Sequence, residues 1–455
     1  MKTNWLEKIV FVSGLVLLGY LFYWRIKLGM VRFFDVDEVA HLHWAHNLYI
    51  GQRPYSDFFY IFPPFFLYLL SFIWVLFKES SVAIIQARML IFIFFAATAA
   101  VLYLLLRLRM SRLLSLMGVI IFAFLPMPYD KMLEIRPDLP ATFFSLLGMW
   151  FLIKGLIGLS VQYIPSSLRS QTLSAHVPNS LAKNRVLLEK SSSLVQTGGT
   201  ARKSLLPANF SQGSLLSSVW FWFLISGLCY GMGIGFVPKT IFFLPPVGLV
   251  FVFLWWRLGK VGTMMGVLGK WLAGLAIPLF IILLSVIYYG NPVLAIRLMT
   301  NISSEASSVL AKSFYIQPTF FFYPNQIYYG EGGYNLQYFL NLFIWLFASI
   351  WGIKSMISFL AKDKLGEQSG ALLISFTFLL NFWGYIYFFP LKHSQYLIVL
   401  APLVAYFFTL TLESVVNLLK KSKFKIWWRS LVNNLFIGNF QSFLFTKQSK
   451  AILDK

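Results

Sequence analysis

The feature that most constrains this chain is a series of long apolar runs. A stretch of about 17–25 apolar residues is long enough to cross a bilayer as a helix. Such runs lie at 9–24, 83–106, 111–127, 138–158, 217–236, 240–256, 267–289, 336–358, 371–389 and 395–412. A further run, 58–77, contains Pro63-Pro64. Composition agrees: of 455 residues 58% are apolar and 12% charged, against about 45–50% and 25% in soluble domains. The expected fold class is an all-α, polytopic membrane helical protein of roughly 10–12 membrane helices.

The net charge of +22 would suggest nucleic acid in a soluble chain. Here the basic residues are interspersed between apolar runs, where they act as topology signals, and no nucleic-acid partner is expected. Cys229 is the only cysteine, which excludes an intramolecular disulfide and any Cys-based zinc or iron–sulfur site. More than thirty residues without a cleavage-like site follow the first run, so it reads as an anchor.

Positive residues orient the chain. Segment 160–216 is Ser-rich and basic and reads as a flexible cytoplasmic loop; the tail after Glu413, with Lys420, Lys421, Lys423, Lys425 and Arg429, falls on the same side. Arg257, Lys260, Lys354, Lys362 and Lys364 join them. The other side receives loops 33–62, 128–138, 290–335 and 390–394. The expected organisation is one transmembrane domain over 1–412, with catalytic outer loops 33–62 and 128–138, and a cytoplasmic tail over 413–455. Three apolar runs separate those two loops, and an odd number of crossings would part them. Arg107, Arg109 and Arg112 look cytoplasmic, so the run after Pro63-Pro64 is expected to dip into the membrane and return, or to lie along it.

Nine of the 16 acids then fall in the outer loops: Asp35, Asp37, Glu38, Asp57, Asp130, Glu134, Asp138, Glu305 and Glu331. Acids contribute little to orientation, so targeting does not explain the bias. The first loop carries Asp35-Val-Asp37-Glu38 directly after a membrane helix. Asp35 or Asp37 could cap a short interfacial helix with Val39, Leu42, Ala45 and Leu48 among its apolar residues. A capped helix with solvated acids is the plainer reading of an isolated Asp-x-Asp-Glu. Glu38 and His41, like His43 and His46, are three apart and could share a helix face. A di-iron site needs a second Glu-x-x-His and further carboxylates, and no second copy exists, so interfacial histidines are favoured.

The second loop carries Glu134-Ile-Arg136-Pro137-Asp138. Pro137 and Asp138 suit the first turn of a helix. The planar fork of Arg136 suits a phosphate. Lys239, after Gly235-Phe-Val-Pro238, and Lys392-His393 are either interfacial anchors or contacts to an anionic head group.

Together these pieces resemble the GT-C superfamily of integral-membrane glycosyltransferases, on the bacterial branch related to protein O-mannosyltransferases and lipid A aminoarabinose transferases. The resemblance lies in Asp37-Glu38, Ala45-His-Asn47-Leu, Gly51-Gln-Arg-Pro54-Tyr55-Ser-Asp57-Phe and Pro63-Pro64. It continues in Glu134-Ile-Arg136-Pro137-Asp138, in Gly235-Phe-Val-Pro238-Lys239, and in Lys392-His393-Ser-Gln-Tyr396 running on to Pro402. His41 and His43 stand where the family has apolar or aromatic residues.

The resemblance implies transfer of a sugar from a polyprenyl-phosphate carrier to an acceptor hydroxyl on a glycan, lipid or protein, at the outer face of the cell membrane. It implies Asp37 as general base, with Glu38 next, and Arg136, Lys239, Lys392 and His393 at the donor phosphate. Asp138, Glu134, Asp35 and Asp57 would orient these groups or bind sugar hydroxyls. A single displacement implies inversion at the anomeric carbon; no cofactor and no essential metal are expected. A polysaccharide polymerase and a lipid-linked sugar flippase or transporter remain the rivals. A transporter would show ionisable residues near helix midpoints and internal repeats; no clear repeat is visible.

Overall fold

The computed structural model describes residues 5–31, 34–78, 80–125, 133–163, 212–259, 261–299, 326–360, 365–388 and 394–421. Most of the Ser-rich loop, most of loop 290–335, the tail beyond 421, Asp130, Glu305, Lys392 and His393 lie outside the described residues. Among those described there is no β-sheet. The helices are α1 (Trp5–Val31), α2 (Val36–Tyr49), α3 (Phe65–Phe77), α4 (Val82–Arg107), α5 (Arg112–Phe124) and α6 (Asp138–Tyr163). Then come α7 (Gln212–Phe236), α8 (Leu244–Leu258), α9 (Val261–Tyr288), α10 (Gln326–Leu360), α11 (Leu365–Phe388) and α12 (Ala401–Lys421). Short 3-10 helices at Pro238–Phe243 and Ser394–Leu400 lead into α8 and α12.

Nine of the described helical spans are long and apolar enough to cross a membrane. The tenth expected crossing, 111–127, yields only the 13-residue α5. Its stop has a local cause. Leu125 precedes Pro126 and takes φ −55° and ψ 120°, the extended conformation that a following proline imposes.

The run around Pro63-Pro64 yields α3, also 13 residues, about 20 Å long at 1.5 Å per residue. That is short of a hydrocarbon core of about 30 Å. The helix packs on α2: the Phe66 ring sits 5.1 Å from that of His41, and Trp74 Nε1 donates to the Leu42 carbonyl at 3.2 Å. The α2–α3 pair therefore forms a hairpin at one end of the bundle, and the first and second loops share that end.

The bundle is held by close approach and by aromatic contacts. Helix α7 packs between α6 and α9. A Cβ on Gly227 would lie 1.9 Å from the Trp271 carbonyl, and one on Gly274 2.0 Å from the Leu224 carbonyl. Small residues that let backbones meet are the usual interface of membrane helices. Phe65, Phe94, Phe143, Phe144 and Phe236 join α3, α4, α6 and α7 through ring contacts. This aromatic layer lies beneath the loops that carry the candidate residues.

Candidate functional site

Helix α2 opens with a full capping box. The Asp35 side chain accepts from the Asp37 N–H at 3.0 Å, and Glu38 Oε2 accepts from the Asp35 N–H at 3.0 Å. Two of the N–H groups that a helix start leaves unsatisfied thus find partners. The box fixes the first turn and points its acids apart: the Asp37 side chain is 51% exposed and that of Glu38 is fully buried.

The second loop folds back onto that turn. Ile135 N–H donates to Glu38 Oε1 at 3.0 Å. The next residue, Arg136, is buried and bonds Glu134 Oε2 through Nε. Its Nη2 reaches Asp37 Oδ2 at 2.5 Å and Asp35 Oδ1 at 3.4 Å. Burial alone would lower the Arg136 pKa, but the charges of Glu134, Asp37 and Asp138 outweigh it and hold the guanidinium protonated. The α6 N-terminus places Asp138 against Lys239 Nζ, which also lies 4.7 Å from the centre of the Tyr396 ring. The 3-10 helices before α8 and α12 thereby converge on the start of α6.

Most of the sequence candidates thus come together: Asp35, Asp37 and Glu134 pair with the buried Arg136, Glu38 holds the neighbouring Ile135 N–H, and the Asp138–Lys239 pair stands at the start of α6. Glu38, expected beside Asp37 as a catalytic acid, is fully buried. Both its oxygens are taken, by Arg88 Nε at 3.2 Å and Nη2 at 2.9 Å and by the two backbone N–H groups. Asp57, expected to orient the site or bind a sugar hydroxyl, accepts the Arg53 N–H at 2.8 Å and closes the 53–57 turn. That loop is tied down by Tyr55 Oη on the Phe62 carbonyl and by Ser56 Oγ on the Tyr289 carbonyl. Pro137 precedes α6 instead of entering its first turn, and its carbonyl accepts the Ala141 N–H.

The histidines divide. His41 is buried among Trp44, Phe62 and Phe66. Burial and the nearby Arg136 charge lower its pKa to about 3, so it is neutral. His43 lies 3.4 Å from the Asn47 amide, and the His46 ring packs on Trp74. Among the described residues no group of three or more His, Cys, Asp or Glu could hold a metal ion. Sequence reasoning missed Arg88. Its signal was present, since an ionisable residue inside an apolar membrane run is costly unless paired and is a site candidate by default.

No protein-family model matches the chain, and no curated protein matches it in sequence. Among solved structures it is similar to the archaeal oligosaccharyltransferase AglB from Archaeoglobus fulgidus in complex with an inhibitory peptide and a dolichol-phosphate. That match has 12% identity and a TM-score of 0.48, and covers 95% of this chain and 53% of the other. The Archaeoglobus fulgidus oligosaccharyltransferase in the apo form matches at 12% identity and TM-score 0.48, over 92% and 52% of the two chains. The chain spans about half the length of these proteins. At this identity and TM-score the likeness assigns no activity.

Proposed function

We propose that the protein is a membrane glycosyltransferase that moves a sugar from a polyprenyl-phosphate donor to an acceptor hydroxyl at the non-cytoplasmic face of the cell membrane, with inversion. The observation that carries the reading is the Asp37–Arg136 contact, a half-exposed carboxylate against a buried guanidinium at the bundle end where two loops converge. In the resting site that guanidinium is shared among Glu134, Asp37 and Asp35. A donor phosphate displaces the two aspartates from Nη2 while Glu134 keeps its hold on Nε.

Asp37, released, takes the proton of the acceptor hydroxyl as its oxygen bonds the anomeric carbon. The bond from that carbon to the phosphate oxygen breaks with its electron pair, and the polyprenyl phosphate leaves. Its charge is met by Arg136 and Lys239, the roles of Lys392 and His393 in the same set resting on the sequence resemblance alone. Asp138 holds Lys239 for this purpose. General-base assistance of this kind is worth about 10²–10⁴ in rate. Asp37→Asn is therefore expected to cut transfer from labelled polyprenyl-phosphate sugars by that factor in membranes that hold the protein at its normal level. Wild-type turnover in that variant rules the base out. Arg136→Ala should weaken donor use, and an effect on acceptor affinity alone would remove its phosphate role. Passage of the labelled lipid across vesicles with no transfer to any acceptor would favour the transporter.

A further inference from the structure

Arg88 lies in the second turn of α4 and is 3% exposed. Each of its nitrogens has work. Nε and Nη2 bond the two oxygens of Glu38, Nη1 donates to the Gly29 carbonyl at 2.8 Å, and the Phe34 ring covers the guanidinium face at 3.8 Å. Glu38 is engaged on its far side as well. Its Oε1 accepts the Ile135 N–H of the second loop and its Oε2 the Asp35 N–H of the first. One carboxylate thus ties both loops to α4; Asp37 immediately precedes Glu38, and Arg136 immediately follows the Ile135 anchor.

We infer that Arg88 is a positioning residue of the site: by holding Glu38 in place it sets the reach of the Asp37 carboxylate to the Arg136 guanidinium. The inference rests on the glycosyl-transfer reading of those two residues, and it gives Glu38 no proton to move. Charge neutralisation alone does not describe the device, because Glu38 works through four accepted hydrogen bonds in a fixed geometry. A shift of about 1 Å at such a site can cost about 10²-fold in rate.

Removing Arg88 alone strands the buried Glu38 charge and endangers folding, so the test uses pairs. Glu38→Gln with Arg88→Met is a neutral pair of similar volume, a type of replacement that buried ion pairs commonly tolerate. With a polyprenyl-phosphate-linked hexose as donor probe, its kcat should fall about 10–100-fold, while KM for the donor and the melting temperature in detergent stay near wild type. The swapped pair, Glu38→Arg with Arg88→Glu, restores an ion pair but offers no acceptor to Ile135 and Asp35, so kcat should stay low. Wild-type kcat in the neutral pair, or recovery in the swap, overturns the inference. Asp37→Asn run in parallel separates the two readings: if it is active, the base assignment falls by itself. Hydrogen exchange of the 133–137 segment without any ligand then decides the clamp. Faster exchange in the neutral pair supports it, and unchanged exchange overturns it.

Discussion

Half of the Asp37 side chain meets solvent while Glu38 beside it meets none, and helix geometry accounts for the contrast. Successive residues on a helix lie about 100° apart, so one acid faces the open site and the other turns toward α4. His41 follows Asp37 by four residues, on the same side of α2, and is neutral within its aromatic cage. Unfolded, this histidine takes up a proton near 6.5; folded, it resists until about 3. Between these values the unfolded state holds the extra proton, so stability falls as pH drops, by up to about 1.4 kcal/mol per pH unit. His41→Phe keeps a ring in the cage and removes that dependence. The melting temperature of the variant minus that of wild type should grow as pH is lowered from 6.5 to about 4; a constant difference would show that His41 is not buried neutral. The acidic pair was legible in the sequence because Asp-x-Asp-Glu stands out in a chain so poor in acids. Which acid is open was not, because that depends on where Arg88 and Ile135 arrive from 50 and 97 residues away.

At the scale of elements, α2 was readable from a cap at Asp35 or Asp37; which of the two caps was not, and in the structure it is Asp35, with Glu38 closing the box. The long helices were readable from run length alone. The arrangement of those helices was not, because it rests on where backbones touch. At the α7–α9 crossing, Gly227 and Gly274 each face a carbonyl of the partner helix, 1.9 and 2.0 Å from where a Cβ would stand. A methyl group there cannot be absorbed by a rotamer change, so the helices must part. Gly227→Ala or Gly274→Ala should destabilise by about 1–3 kcal/mol, seen as a lower melting temperature in detergent. Gly248 in α8 faces open space, with no atom within 4 Å of where its Cβ would stand, and Gly248→Ala should be neutral or stabilising by up to about 1 kcal/mol. Equal losses at all three glycines would show that helix propensity, not the crossing, governs the effect.

For the whole molecule, the site exists only if the two loops share one end of the bundle. Run length alone would make 58–77 a crossing, whereas the cytoplasmic look of Arg107, Arg109 and Arg112 argued that it dips into the membrane and returns, or lies along it. Contact supports the single-end arrangement: α3 touches α2 at Phe66 and at Trp74, and the Ile135 N–H of the second loop meets Glu38 of the first. Chain direction then follows. Helix α4 starts with Arg88 on Glu38 and runs away from the site, and α5 begins the return that brings Ile135 back to Glu38. If 58–77 does not cross, Phe59 and Val82, which lie on either side of α3, are expected on one side of the membrane and Arg112 on the other. All three are exposed, and the native Cys229 is buried, which keeps background labelling low. Single cysteines at these positions should respond to an impermeant maleimide accordingly: Phe59→Cys and Val82→Cys together from one face, Arg112→Cys from the opposite face only. Labelling of the first two from opposite faces would make 58–77 a true crossing. It would then set Asp37 and Arg136 on different sides of the membrane, where no single active site could hold both.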